Sequence, residues 1–127
     1  MLELENYYIT EVENIKEFMT IIFVIVDDLY EEATPTSVKT RKNKESAKMS
    51  DSEIMTIALT GESIGIDSER AWHSFVKKNY SDLFPKMCDR TRYNRTRREL
   101  AGVAENMRQR LNVVMEQYFS TDRLIDS

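Results

Sequence analysis

The scarcity of glycine and proline is the feature that most limits how this chain can fold. Three glycines and two prolines are spread over 127 residues. A sheet of many short strands needs frequent turns, and turns draw mainly on these two residues. Hydrophobic residues make up 41% of the chain, which is enough to bury a core. The sequence therefore predicts a single all-α domain over residues 1–127, a compact bundle of four to five helices.

The first helix is predicted over about residues 11–31. Thr10-x-x-Glu13 has the pattern of a capping box, and apolar residues follow at helical spacing. Residues 21–26 are all apolar, so we expect neighbouring elements to cover this section on most sides. The apolar stretch 18–26 is much shorter than the roughly 20 residues that a membrane span requires. The sequence thus predicts a buried helix and no membrane segment.

A second pair of helices is predicted in the middle of the chain. Residues 50–53 (SDSE) form another capping-box pattern, and Gly65 is suited to ending the helix that follows. Asp67 or Ser68 can cap the next helix. Two helices joined by a short glycine-containing turn resemble a helix-turn-helix unit in outline, although many helical hairpins share that outline.

A long C-terminal helix is predicted after a cap at Asp89 or Thr91. Apolar residues recur at spacings of seven, three or four over residues 93–118. Gly102 lies inside this series and marks either a bend or a close helix contact. Residues 124–127 (LIDS) have the pattern of the start of a strand.

Charge is distributed unevenly along the chain, whose formal net charge is −4. Residues 1–32 hold nine acids and one lysine, whereas residues 86–98 hold six bases and one acid. Residues 32–49 have no apolar period and contain a second basic island, so we interpret them as an exposed linker. That linker is either a basic arm that touches nucleic acid or a solvated loop. The basic residues of the arm are Lys39, Arg41, Lys42 and Lys44.

The strongest functional signal is the basic block at residues 86–98. Arginine forks bind phosphates and guanine edges, and asparagine can read adenine. Helical spacing places Tyr93 towards the core and the polar residues outwards. The alternative is an arginine-rich face that pairs with the acidic N-terminal segment. The candidate DNA contacts of the block are Arg90, Arg92, Asn94, Arg95, Arg97 and Arg98.

Other reactive or aromatic residues favour structural roles. His73 has no cysteine pair or acid cluster at ligand spacing, so we expect a structural contact and no metal site. Cys88 has no partner that would make it a nucleophile, and a single cysteine fits a reducing cytoplasm. Trp72 is predicted to anchor the core. Lys77 and Lys78 end a helix, where the helix dipole alone explains them.

Several short strings together resemble a known family. They occur at residues 49–54 (MSDSEI), 57–59 (IAL), 71–75 (AWHSF), 83–85 (LFP), 89–95 (DRTRYNR) and 124–127 (LIDS). In this order they resemble segments of bacterial insertion-sequence transposases of the DDE type, over about residues 49–127. The string at residues 89–95 is the most specific part.

The resemblance implies a metal-dependent enzyme whose ribonuclease-H-like domain uses three carboxylates and two Mg²⁺ ions. Asp126 matches the first of those acids, within residues 124–127 as the start of the catalytic domain. The printed chain ends one residue later, so we expect no complete active site, no bound cofactor and no cutting or joining of DNA by this chain.

The implied role is that of a DNA-binding and assembly domain. Its expected partners are double-stranded DNA at transposon ends, the missing catalytic domain and a second copy in a homodimer. The alternative function is a helical protein-interaction module, used for dimerisation or domain docking without direct DNA binding.

Overall fold

The computed structural model describes the backbone of residues 2–41 and 49–126, and the side chains of residues 11–41, 49–114 and 116. All regular structure in these ranges is helical, so the all-α prediction is confirmed. No helix there has both the length and the apolar character needed to cross a membrane. The helices are α1 (Leu2–Ala33), α2 (Thr36–Lys39), α3 (Asp51–Ser63), α4 (Glu69–Asn79), α5 (Arg90–Glu99) and α6 (Ala101–Asp126).

The first helix starts earlier than predicted. α1 runs through Thr10 without a break, so the capping box expected at Thr10 is wrong. No glycine or proline precedes that threonine, and nothing local stops the helix from extending towards the N-terminus. Its apolar section is only partly covered: Ile22 is completely buried, whereas Ile21 and Val24 remain 41% and 54% exposed. The expected cover on most sides is therefore absent on one flank of α1.

The predicted linker is only partly exposed where the structure describes it, because residues 32, 35–37 and 40 are exposed and others are not. Ala33, Thr34 and Met49 are buried, and Val38 in the short helix α2 packs against the core. These residues share no helical period because Ala33 ends α1, Val38 lies in α2 and Met49 precedes α3. Residues 42–48 lie outside the described residues. The first half of the segment therefore combines buried, half-buried and exposed residues.

The caps of α3 and α4 follow the sequence pattern. The Ser50 hydroxyl accepts a hydrogen bond from the Glu53 amide at 3.1 Å, and the Glu53 carboxylate accepts one from the Ser50 amide at 2.9 Å. Gly65 ends the turn after α3 with φ +79°. Ser68 caps α4 by accepting from the Ala71 amide at 3.1 Å. The predicted pair of consecutive helices is confirmed.

The two helices touch at a glycine that the sequence analysis did not single out. The indole of Trp72 in α4 packs directly over Gly61 in α3, and its Nε1 donates to the Ile57 carbonyl oxygen at 2.8 Å. A Cβ atom at position 61 would lie 2.6 Å from that nitrogen. Only glycine lets α4 approach α3 this closely without a shift.

The predicted long C-terminal helix is divided in two at Leu100. Tyr93 of α5 and Met107 of α6 are buried on either side of this break, so the apolar seam is largely confirmed. Gly102 has nothing within 4 Å of an added Cβ, which excludes a close helix contact there. The backbone of residues 124–126 is helical, so the expectation of a strand start is wrong. Asp126 is not among the residues whose side chains the structure describes.

Candidate nucleic-acid interface

Helix α5 presents most of its arginines to solvent. The Asp89 carboxylate accepts from the Arg92 amide at 2.8 Å and starts the helix where the sequence predicted. Tyr93 and Leu100, seven residues apart, are buried and hold one side of α5 against the core. The remaining sides are therefore turned outwards. Its exposed arginines are Arg90, Arg92, Arg95 and Arg98.

These four arginines have no carboxylate partner among the described side chains. Arg97 differs, because its Nη2 lies 2.8 Å from the Glu69 carboxylate at the start of α4. The acid that it meets belongs to α4 and not to the acidic N-terminal segment. In the described part of the chain, the alternative of an arginine face paired with that segment therefore finds no contact.

The described cations outside residues 70–98 are neutralised. Every lysine or arginine with a described side chain outside residues 70–98 forms an ion pair. These pairs are Lys16–Asp82, Lys39–Glu31, Arg41 with Asp51 and Glu99, Arg108 with Glu62 and Glu105, and Arg110–Glu32. The uncompensated positive charge of the described structure is thus confined to residues 70–98.

The acids near this region are already engaged. Between residues 69 and 99 the carboxylates belong to Glu69, Asp82, Asp89 and Glu99. Three of them pair with cations, and Asp89 caps α5. The Lys16 ammonium, through its hydrogen bond, lowers the pKa of the Asp82 carboxyl. None of these acids is left to neutralise the exposed arginines of α5.

Asn94 is less available than the sequence suggested. Asn94 is half-buried, and the oxygen of its side-chain amide is buried without a hydrogen-bond partner in the described structure. The Nε of Arg97, three residues along the same side of α5, is also buried without a partner. Asn94 therefore lies at the edge of the exposed surface, with only part of its amide open to solvent.

In the basic arm expected at residues 39–44, the two bases that the structure describes pair with acids of the protein. Both Nη atoms of Arg41 donate to the Asp51 carboxylate, one of them at 2.8 Å, and its Nε donates to Glu99 at 2.9 Å. Lys39 donates to the Glu31 carboxylate at 2.8 Å. Both bases therefore form ion pairs with acids of the protein, which lie between eight and 58 residues away in the sequence. Lys42 and Lys44 lie outside the described residues.

Arg41 belongs to a polar cluster that joins four parts of the chain. Asp51, at the start of α3, accepts from Arg41 and also from the Tyr30 hydroxyl at 2.7 Å. Burial, followed by this hydrogen bond, raises the pKa of the Tyr30 phenol. The hydrogen bond to Asp51 also raises the pKa of Arg41. The cluster ties α1, the segment after α2, α3 and the end of α5 together.

His73 has the structural role that the sequence predicted. It is buried, and its Nε2 donates to the Cys88 carbonyl oxygen at 2.9 Å. Its ring lies 5.5 Å from the ring of Tyr93, centroid to centroid. Burial of Tyr93 raises the pKa of its phenol. These contacts join the middle of α4 to the first turn of α5.

The described side chains do not fit a metal centre of the kind that the family resemblance implies. No three of the His, Cys, Asp or Glu side chains in this part of the chain lie close enough to hold a metal ion. A cleft of about 530 Å³ between α3, α4, α5 and α6 contains acids, but Glu62 and Glu105 there pair with Arg108. No metal-dependent step is assigned to these residues.

Comparisons of the chain with protein-family models, with curated proteins and with solved structures give no match.

Proposed function

We propose that this chain binds double-stranded DNA through α5, as the DNA-binding and assembly domain of a DDE transposase. The observation that carries the proposal is that some described cations form ion pairs with carboxylates and others do not. Described cations outside residues 70–98 all have a carboxylate, whereas Arg90, Arg92, Arg95 and Arg98 have none. The resemblance of residues 49–127 to such transposases supports transposon-end DNA as the ligand.

Four exposed arginines on ten residues of helix repel one another. A polyanion relieves this repulsion, and the release of its counterions drives binding. Arg92, Arg95 and Arg98 are three residues apart, about 4.5 Å along the helix axis, so their flexible side chains can meet successive phosphates of one strand. Phosphate contacts of this kind position a protein on the duplex and carry no sequence information directly.

Fluorescence anisotropy across a salt series tests the proposal, with a terminal-repeat duplex and a random duplex as ligands. The double variant Arg95→Ala/Arg98→Ala should flatten the slope of log affinity against log salt by about 1.8, because each phosphate contact contributes about 0.9. Arg110→Ala is the matched control, since it removes a cation that already pairs with Glu32. Its slope should equal that of the unmodified protein.

Two results would contradict the proposal. One is the absence of binding to either duplex at low salt. The other is a salt slope that does not change in the Arg95→Ala/Arg98→Ala variant. Incubation with Mg²⁺ and labelled DNA ends tests the separate expectation that this chain does not cleave DNA, and any strand cleavage would overturn it.

A second candidate function is a protein-interaction module. Its support is the exposed apolar flank of α1 at Ile21 and Val24, together with Val113 on α6. Such side chains on a helix surface suit a contact with another protein surface. Sedimentation velocity of the unmodified protein and of Ile21→Ser/Val24→Ser tests this. A concentration-dependent dimer that the variant loses would support it, and a monomer at all concentrations would remove it.

A further inference from the structure

Side-chain contacts between α4 and α5 show that the two helices run in opposite directions. Glu69, at the start of α4, pairs with Arg97, near the end of α5. One turn further along α4, His73 contacts the ring of Tyr93, in the first turn of α5. His73 also bonds to the carbonyl oxygen of Cys88, just before α5. Residues further along α4 therefore contact residues nearer the start of α5.

The outward side of α4 carries its own cations. Trp72 and His73 are buried, and they fix which side of α4 faces the protein. Arg70, Ser74 and Lys77 are exposed. They follow one another at spacings of four and three, so they form a single stripe along the helix. Arg70 and Lys77 have no carboxylate partner among the described side chains.

This stripe borders the side of α4 that faces α5. At about 100° per residue, Lys77 and Arg70 follow His73 directly in the rotation from the buried side to solvent. On α5, Arg90 and Arg98 follow Arg97 in the same way, on the solvent side of its contact with α4. The two sets of exposed cations therefore lie on the same solvent side of the contact between α4 and α5. We call this surface the α4–α5 face and define it by Arg70, Lys77, Arg90 and Arg98.

Helix stability does not account for both members of the stripe. Lys77 lies in the last turn of α4, where the helix dipole favours a cation. Arg70 is the second residue of the same helix, where the dipole disfavours one. A cation that opposes the dipole and lacks a carboxylate partner is better explained by an external anion.

We propose that Arg70 and Lys77 bind backbone phosphates of the same DNA duplex that α5 binds. The inference rests on the proposed function and extends it, because it gives the bound duplex a second row of contacts on another helix. Binding on the α4–α5 face then involves both helices at once, and α4 supplies about two of the phosphate contacts.

The salt dependence of duplex binding tests this. Arg70→Ala/Lys77→Ala should flatten the slope of log affinity against log salt by about 1.8, and should weaken binding about 60-fold at 0.1 M salt. Lys78→Ala is the matched control, because Lys78 is exposed on the same helix but about 100° further round, away from α5. It should leave the slope unchanged. Thermal unfolding of each variant checks that the fold is intact.

The possible failures are distinguishable. If Arg70→Ala/Lys77→Ala keeps the slope of the unmodified protein while Arg95→Ala/Arg98→Ala flattens it, the role of α4 is overturned and the role of α5 stands. If the slope of Arg70→Ala/Lys77→Ala is no flatter than that of Lys78→Ala, the inference also fails. If the unmodified protein does not bind the duplex, the proposed function fails, and the inference fails with it.

Discussion

Replacing Arg41 by alanine should destabilise the fold and leave the salt dependence of the proposed DNA binding unchanged. The guanidinium of Arg41 donates to both oxygens of Asp51, to the Val38 carbonyl oxygen and to Glu99. Asp51 is 4% exposed. In the Arg41→Ala variant this carboxylate keeps the Tyr30 hydroxyl but loses the guanidinium that bonds both of its oxygens.

The size of the effect follows from this burial. Removing one partner of a buried ion pair costs about 3–5 kcal/mol. The side chain of Arg41 is 16% exposed, so water can reach part of the space that it leaves. We therefore expect a loss of about 2–3 kcal/mol in the free energy of unfolding. With a urea dependence of about 2 kcal/mol per molar, the unfolding midpoint should fall by about 1–1.5 M.

Urea unfolding followed by Trp72 fluorescence and by far-ultraviolet circular dichroism measures the shift. Arg110→Ala is the control, because its pair with Glu32 is exposed and should contribute about 0–1 kcal/mol. A double-mutant cycle of Arg41→Ala with Asp51→Ala should show coupling between the two residues. The reasoning is refuted if Arg41→Ala keeps the midpoint of the unmodified protein and loses affinity for DNA, since Arg41 would then act as the exposed arm.

Further changes should move stability in defined directions. Gly61→Ala should cost about 1–3 kcal/mol in urea unfolding, because its Cβ would meet the Trp72 indole, whereas Gly102→Ala should gain about 0.5–1 kcal/mol, because its Cβ meets nothing. Equal effects of these two variants would contradict the contact at Gly61. Ser50→Ala should cost about 1 kcal/mol by removing the cap of α3, and an unchanged midpoint would argue against that cap. Burial raises the pKa of Tyr93, so the stability from its neutral phenol is complete below about pH 10 and is lost as the pH rises through the higher folded value. Tyr93→Phe should therefore flatten the fall in Tm above pH 10, and an equally steep fall would count against this origin.

Local features of the fold could be predicted from the sequence because their chemistry is local. The caps at Ser50, Ser68 and Asp89 each use a side chain that bonds an amide three residues away. Such bonds depend on a few neighbouring residues, and the sequence displays all of them. The failed cap at Thr10 shows the limit of this signal, because a helix that can continue does not need to start at a capping residue.

Contacts between distant parts of the chain could not be predicted in this way. The packing of residues 32–41 depends on Arg41, whose partners Asp51 and Glu99 are ten and 58 residues away. The close contact at Gly61 depends on Trp72, in the next helix. A basic residue or a glycine has the same local appearance whether or not such a partner exists.

The candidate interface was predictable only where it depends on residues close together in the sequence. The sequence located the charge block at residues 86–98 and the inward direction of Tyr93. It could not show that Arg97 meets Glu69, or that Arg70 and Lys77 border the same surface, because both depend on the antiparallel packing of α4 and α5. The helix dipole accounts for Lys77 at the end of α4 but disfavours Arg70 at its start, and this contrast is visible in the sequence.

The bonds of Trp72 and His73 to backbone carbonyl groups have a consequence for how DNA would be selected. Two consecutive residues bind α4 to the Ile57 carbonyl oxygen on one side and to the Cys88 carbonyl oxygen on the other. These bonds hold the backbone of α4 at a fixed distance from α3 and from the start of α5, so the helices that carry the cations of the α4–α5 face keep their spacing. A duplex bound there has to adjust its own groove width and curvature to match that spacing. Because the ease of such deformation varies with base sequence, this protein could prefer certain DNA sites by indirect readout, without any side chain reaching a base.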